Sequence, residues 1–306
     1  MNKKFASHLL LLMVAFIWGT AFVAQSKGTD HVGAFTFNAL RSILGGAALI
    51  PVVLAADKRK RKTSGESPAD NRAMTIKGGI ICGVFLFAAS TFQQMGIGLT
   101  TAGKAGFITA LYIVIVPLLG IVFGRRVSLL VWGCVAAAVA GFYLLCVNEN
   151  FSVLKGDVLV LVCAFLFSLH IIMIDRFNSK GVDGVKMSCI QFFTAASLSF
   201  VFMIIFEEPT LENIINARTA ILYAGVMSSG VGYTVQILAQ RNADPTAATL
   251  LMSMESVFAA LAGWVILHER LSGKELIGCA LVFAAVIAAQ FAGGESPQTS
   301  SGGLNE

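Results

Sequence analysis

Ten apolar runs of roughly 17–22 residues, parted by short clusters of charged and turn-forming residues, decide what this chain can fold into. A helix rising ~1.5 Å per residue needs about that length to cross a hydrocarbon layer ~30 Å thick. The runs are 8–25, 33–54, 76–94, 105–123, 129–147, 156–174, 185–206, 220–239, 246–267 and 275–291. Only 13% of the residues are charged, against about 25% in a soluble domain, so the expected fold class is an all-α integral membrane protein with ten transmembrane helices. Lys3 and Lys4 ahead of the first run imitate a signal peptide. No small-residue cleavage site follows, and the run is read as a retained first helix.

Orientation follows from the cations. With the N-terminus cytoplasmic, fifteen Lys and Arg residues fall on the inner side and six on the outer. The inner set is dominated by Lys58, Arg59, Lys60, Arg61 and Lys62 in the basic connection 55–75. That bias puts both termini in the cytoplasm and a multi-pass protein in the cytoplasmic membrane, with lipid as its surroundings. It also accounts for the net charge of +5 without any nucleic acid partner. The Gly/Ser-rich tail 293–306 has no apolar period and is expected to be disordered.

The ninth run holds a carboxylate, Glu255, near its middle. An ionisable group at that depth costs about 2.5–3.5 kcal/mol on the lenient insertion scale and by default marks a pathway or a binding site. Its neighbours one turn away, Leu251, Met252, Phe258 and Ala259, offer no cation. Its partner is therefore another helix, water or a substrate, and a neutral carboxylate hydrogen-bonded between helices is the structural alternative.

The chain echoes itself. Ala15-Phe16-Ile17-Trp18 returns as Ala164-Phe165-Leu166-Phe167; Arg41 in the second run answers to Gln191 in the seventh; Gln94 answers to Gln236; Val127-Ser128 answers to Leu271-Ser272. Two halves of five spans follow, 1–147 and 148–292, and five being odd, the second half enters the membrane inverted. Inverted repeats are the mark of secondary transporters, with the substrate near the midplane between the halves.

Trp18-Gly19-Thr20-Ala21-Phe22 and Phe37-Asn38-Ala39-Leu40-Arg41 resemble the EamA-type drug/metabolite transporters. So do Met254-Glu255-Ser256-Val257-Phe258-Ala259-Ala260, His268-Glu269-Arg270-Leu271-Ser272 and Ile277-Gly278-Cys279-Ala280-Leu281. The likeness extends over 9–291 and implies ten helices as two inverted five-helix repeats around a central cavity. It implies export or exchange of amino acids or related small metabolites. Members of the family often carry proline after the ninth-span carboxylate; here the residue is Ser256, so a helix break at that point is not assumed.

The remaining candidates each have two readings. Arg41 lies roughly 10 Å deep and either snorkels outward, grips a substrate carboxylate, or forms an ion pair with Glu255 that breaks during the cycle. His170 is a packing residue or a proton relay. Gln94, Gln191 and Gln236 bond neighbouring helices or line the cavity. Trp18, Tyr112, Tyr233 and Trp264 form an aromatic wall or anchor helix ends at the interface. The six cysteines lack metal-ligand spacing and read as small buried hydrophobes, and no metal or cofactor is expected. Asp244-Pro245 is the N-cap and first position of the ninth span.

The function expected is secondary transport of a small-molecule substrate by alternating access, with protons as a possible coupling ion. The alternative is an intramembrane lipid-modifying enzyme. HExxH, GxSxG and GxxxxGKS signatures and an intramembrane Asp pair are all missing from the sequence, which argues against that chemistry.

Overall fold

The structure, a computed structural model, describes residues 3–64, 72–122, 129–146, 153–240 and 251–293. The tail beyond 293, Asp244-Pro245 and Val127-Ser128 lie outside the described residues. Among the described residues there is no strand. The helices are α1 (Lys3–Thr29), α2 (Ala34–Ser64), α3 (Arg72–Ile97), α4 (Ala102–Ala110), α5 (Tyr112–Val122), α6 (Leu129–Cys146) and α7 (Lys155–Asn178). They continue as α8 (Gly184–Phe206), α9 (Leu211–Asn216), α10 (Arg218–Leu222), a π-helical segment (Tyr223–Gly232), α11 (Tyr233–Gln240), α12 (Glu255–Leu267) and α13 (Gly273–Gly293). Among the described residues five helices are long and apolar enough to cross a membrane: Phe5–Thr29, Ala34–Lys58, Arg72–Ile97, Lys155–Asn178 and Gly184–Phe206.

Two connections differ from expectation. α2 continues to Ser64 through the basic part of the segment 55–75, because Lys and Arg are good helix formers and the helix simply carries the chain out of the apolar layer. The segment 207–219 is not a plain loop but holds α9, whose N-cap is Thr210.

Helix starts are capped from near and far. Thr101 caps α4 through Lys104 N–H, and Asp183 caps α8 through Val185 and Lys186 N–H. Two carboxylates reach in from elsewhere. Glu207, just past α8, accepts from Phe35 N–H at 2.9 Å, Thr36 N–H at 2.8 Å and the Thr36 hydroxyl at 2.6 Å. Glu269 accepts from Ala102 N–H at 2.7 Å and Gly103 N–H at 3.1 Å. Each satisfies two first-turn donors and sets negative charge at the positive end of a helix.

The packing has a pattern. α3 packs on α7 and α8; the π segment packs on α1 and α2; α1 packs on α12, as α4 and α5 pack on α7. α2 lies on α8, α4 on α12 and α6 on α13. For these pairs, exchanging each first-half helix with the one in the same place of the second half returns the same set. α2 and α8 run antiparallel: Thr36 at the start of α2 meets Glu207, and Asp57 near its end meets Lys186 at 3.0 Å. Small residues permit the closest approaches. A methyl on Gly83 would stand 2.5 Å from Thr194 Cβ and 2.8 Å from the Gln191 carbonyl oxygen. The largest core gathers Phe107, Ile108, Leu111, Cys134, Leu145, Val160, Ala259 and Val282 from α4 to α7, α12 and α13.

Candidate functional site

Glu255 opens α12 instead of sitting inside a continuous helix. A turn at Ser253–Met254 falls inside the run expected as the ninth span, so a break is present there without proline. The cause is local: Ser256 sends both its N–H (3.4 Å) and its hydroxyl (3.0 Å) to the Ser253 carbonyl, and Met254 N–H bonds Leu251 at 3.2 Å. Serine supplies by back-bonding the break that proline supplies by lacking an N–H. The fourth span is interrupted too, at Leu111 between α4 and α5, where Leu111 N–H bonds Ile108 and Val114 N–H bonds Leu111. The interrupted spans meet: a methyl on Gly106 would lie 2.6 Å from Ala259 Cβ.

Glu255 is 7% exposed, so its side chain is buried within the protein. α1 closes over it at Gly19, where a methyl would stand 2.7 Å from the Glu255 carbonyl oxygen. No described residue forms a hydrogen bond or ion pair with its carboxylate. Arg41 donates to the Gln25 side-chain oxygen at 3.0 Å and lies 6.0 Å over the Phe37 ring. The Gln25 backbone carbonyl in turn accepts from Gln94 at 2.9 Å. The Arg41–Glu255 ion pair, one of the expected arrangements, is not formed, because Gln25 holds the guanidinium on the α1–α2 side.

Tyr233 lies in the field of both charges. Its hydroxyl is within electrostatic reach of both Arg41 and Glu255. Tyr112, first residue of α5, is within reach of Glu255 and Tyr233. The Tyr233 ring packs against Trp18 (centroids 5.3 Å, 55°) and edge-on to Phe192 (5.2 Å, 83°). Trp18 also donates its indole N–H to the Ser228 carbonyl of the π segment at 3.1 Å. Trp18 and Tyr233 are thus in contact, Arg41, Tyr112 and Glu255 lie within electrostatic range of the same tyrosine, and Gln94 is linked to Arg41 through Gln25.

The other candidates lie apart from these contacts. His170 and Gln191 bond each other at 3.0 Å in a buried pair between α7 and α8. Gln236 points its amide at the Met252 sulfur, 3.3 Å away. Trp264 is 61% exposed and is no part of the aromatic wall, a correction to that expectation. Gln25 and Phe192 were not expected; Gln25 closes the first apolar run, and its place at a helix end concealed its role. An open groove of about 440 Å³ lies beside Leu9, Leu12, Met13, Phe16 and Phe258, but every lining side chain is apolar and it shares none of the charged groups above.

An uncharacterized transporter of Archaeoglobus fulgidus is 29% identical over 93% of this chain and 86% of its own. The uncharacterized transporter YoaV of Bacillus subtilis is 22% identical over 89% and 92%. A chloroplastic WAT1-related protein of Arabidopsis thaliana is 24% identical over 94% and 70%. A crystal structure superposes with a TM-score of 0.62 at 22% identity, covering 94% of this chain and 98% of its own, a likeness of fold. Residues 5–147 and 154–289 each match one family, and the chain belongs to it: it is a member of the EamA-like transporter family, carrying the family's domain twice.

Proposed function

We propose that the protein is a secondary transporter of small metabolites, amino acids or related zwitterions, working by alternating access across the cytoplasmic membrane as an exporter or exchanger. The observation that carries this reading is the pair of opposite charges left unpaired with each other: Arg41 bound only to an amide oxygen, Glu255 bound to nothing described, both within reach of Tyr233. A buried charge is retained where something meets it during function. A zwitterion supplies both complements, its carboxylate to the Arg41 guanidinium and its ammonium to Glu255, with Trp18, Tyr112 and Tyr233 as walls. Gln94, Gln191, Gln236 and His170 act behind this wall, holding helices together.

The reading takes the ten spans as two inverted repeats, 1–147 and 148–292, with both termini cytoplasmic. The antiparallel self-pairing of α2 with α8 supports it, since an axis relating two antiparallel equivalent helices is perpendicular to them and lies in the plane of the membrane. Interrupted spans carrying Tyr112 and Glu255 at their breaks support a site between the halves.

The test is flux. Protein reconstituted in liposomes is given a panel of radiolabelled amino acids and organic metabolites, with and without a pH gradient. Saturable movement of a zwitterion, lost in Glu255→Gln, is the expected result, and acceleration by the gradient would add protons as the coupling ion. Chemical conversion of lipid without solute movement would favour the intramembrane enzyme instead.

A further inference from the structure

Two apolar layers on the α2–α8 seam enclose a polar step. Toward the start of α2, Phe35 meets Phe202 (ring centroids 5.3 Å), Phe206 (6.0 Å) and Phe87 of α3 (6.3 Å). Farther along, Leu49, Leu86, Phe192 and Ala195 form a second layer, and Phe192 carries it to Tyr233. Asn38 follows Phe35 by three residues and Ser199 precedes Phe202 by three. Each therefore shares a face with its phenylalanine and stands about 4.5 Å farther along its helix. Because α2 and α8 run antiparallel, both steps lead the same way, from the phenylalanines toward the second layer.

Asn38 and Ser199 are both 0% exposed, and the Asn38 amide nitrogen, its amide oxygen and the Ser199 hydroxyl all lack a hydrogen-bond partner. Buried polar groups left in this state are costly and rare. The seam does not need them in order to pack. The shift of 150 residues that pairs Arg41 with Gln191 carries Ser199 to Leu49, a member of the second apolar layer, and Asn38 to Ser188, which is only half-buried.

The chemistry of a complement follows. An amide and a hydroxyl together offer donors and acceptors and no charge. The charged residues nearest in sequence are engaged elsewhere: Arg41 with Gln25, Glu207 with the amides of Phe35 and Thr36. We propose that Asn38 and Ser199 form a subsite for an uncharged hydrogen-bonding group, set between the phenylalanine layer and the layer that reaches Tyr233. Two sources share that chemistry, internal water and the amide or hydroxyl side chain of a zwitterion held at Arg41, one turn beyond Asn38. The second source rests on the transporter reading, and makes amino acids with uncharged polar side chains the preferred substrates.

The experiment gives each source its own readout, on the full chain in liposomes with Asn38→Leu and the milder Ser199→Ala as variants. A brief X-ray pulse makes hydroxyl radicals from water where it stands, and mass spectrometry reads oxidation of the buried Phe35, with His31 in the exposed turn after α1 as control. Water in the subsite is expected to oxidise Phe35 in the parent, about fivefold less in either variant, with His31 unchanged. Flux of asparagine against leucine, a pair of similar volume, reads the side-chain source: kcat/KM is expected to favour asparagine, and either variant to cut that preference about fivefold. Whichever readout the variants move names the source, and neither readout moving overturns the subsite. Phe35 oxidation that falls in the variants while no zwitterion is carried by the parent removes the transporter reading and leaves the subsite in place.

Discussion

Gly225 stands against Arg41 as Gly83 stands against Gln191. A methyl on Gly225 would lie 2.7 Å from Leu44 Cβ and 3.1 Å from the Arg41 carbonyl oxygen, three residues apart on α2. The Gly83 contacts, Thr194 and Gln191, are three residues apart on α8. The Gly83–Gly225 spacing, 142 residues, is also that of Gln94 and Gln236. One helix crossing is therefore built twice, and both copies position the polar residue of an α2-type span. Replacing either glycine by alanine is expected to cost about 1–3 kcal/mol by overpacking, and by similar amounts in the two copies. Gly133→Ala, with open space around it, is the neutral control. Thermal unfolding in detergent compares the three; a stable Gly225→Ala protein would show that the crossing tolerates separation.

The carboxylate at the start of α12 is expected to be a functional liability to stability. Glu255→Gln removes a buried charge that has no described partner, so the variant should unfold at the same temperature or higher while losing transport. Melting temperature and liposome flux measured on one preparation check this. A loss of stability would reveal a structural partner for the carboxylate.

Gln25 holds the guanidinium, and its contribution can be isolated. A hydrogen bond to a charged group is worth about 1.5–3 kcal/mol, so Gln25→Ala should weaken substrate affinity roughly 10- to 100-fold if that bond keeps Arg41 aimed at the substrate. Arg41→Lys should fare no better, because an ammonium lacks the planar fork. The readout is KM against kcat in the flux assay: a fall in kcat alone would assign Gln25 to the conformational step.

His170 separates packing from proton traffic. His170→Ala leaves the Gln191 amide oxygen buried without its partner, a loss of about 1–3 kcal/mol that a melting curve detects. Flux at saturating substrate, with and without a pH gradient, should match the parent. A gradient response abolished by the substitution would make the histidine a relay.

These residues mark how far the sequence reaches. Run lengths, the paired positions Arg41/Gln191 and Gln94/Gln236, and the inward burial of Glu255 are consequences of periodicity and of the cost of charge in lipid, both of which are local. The break at Ser253–Met254 depends on a serine choosing its own backbone as partner, and a serine facing a neighbouring helix looks the same in sequence. Gln25 stands at the end of an apolar run, where a polar residue needs no explanation, until α2 brings Arg41 to it. Trp264 and Trp18 are both tryptophans in apolar runs, and only helix rotation separates the 61% exposed one from the one packed on Tyr233.

The π segment is the part of the second half that its counterpart in α3 does not share, and Trp18 holds it. π-helical turns hydrogen-bond i to i−5 and are rarely sustained, so a run over Tyr223–Gly232 needs support from outside the helix. The indole N–H on the Ser228 carbonyl gives that support, and the Thr20–Tyr223 hydroxyl contact at 2.5 Å ties the same segment to α1 a turn away. Gly232 fits beneath the ring, where a methyl would stand 2.6 Å from the indole nitrogen. Trp18→Phe keeps an aromatic ring against Tyr233 and removes the donor together with part of the indole's bulk, a change of at least about 1 kcal/mol. The expected outcome is faster amide hydrogen exchange across 223–232, read by mass spectrometry, with α3 unchanged. Because Tyr233 follows the segment directly, a loosened π turn also shifts the ring that packs against Trp18, and flux should fall with it. Unchanged exchange across 223–232 would mean that the segment holds its shape through its own small residues, and Trp18 would be left with the wall alone.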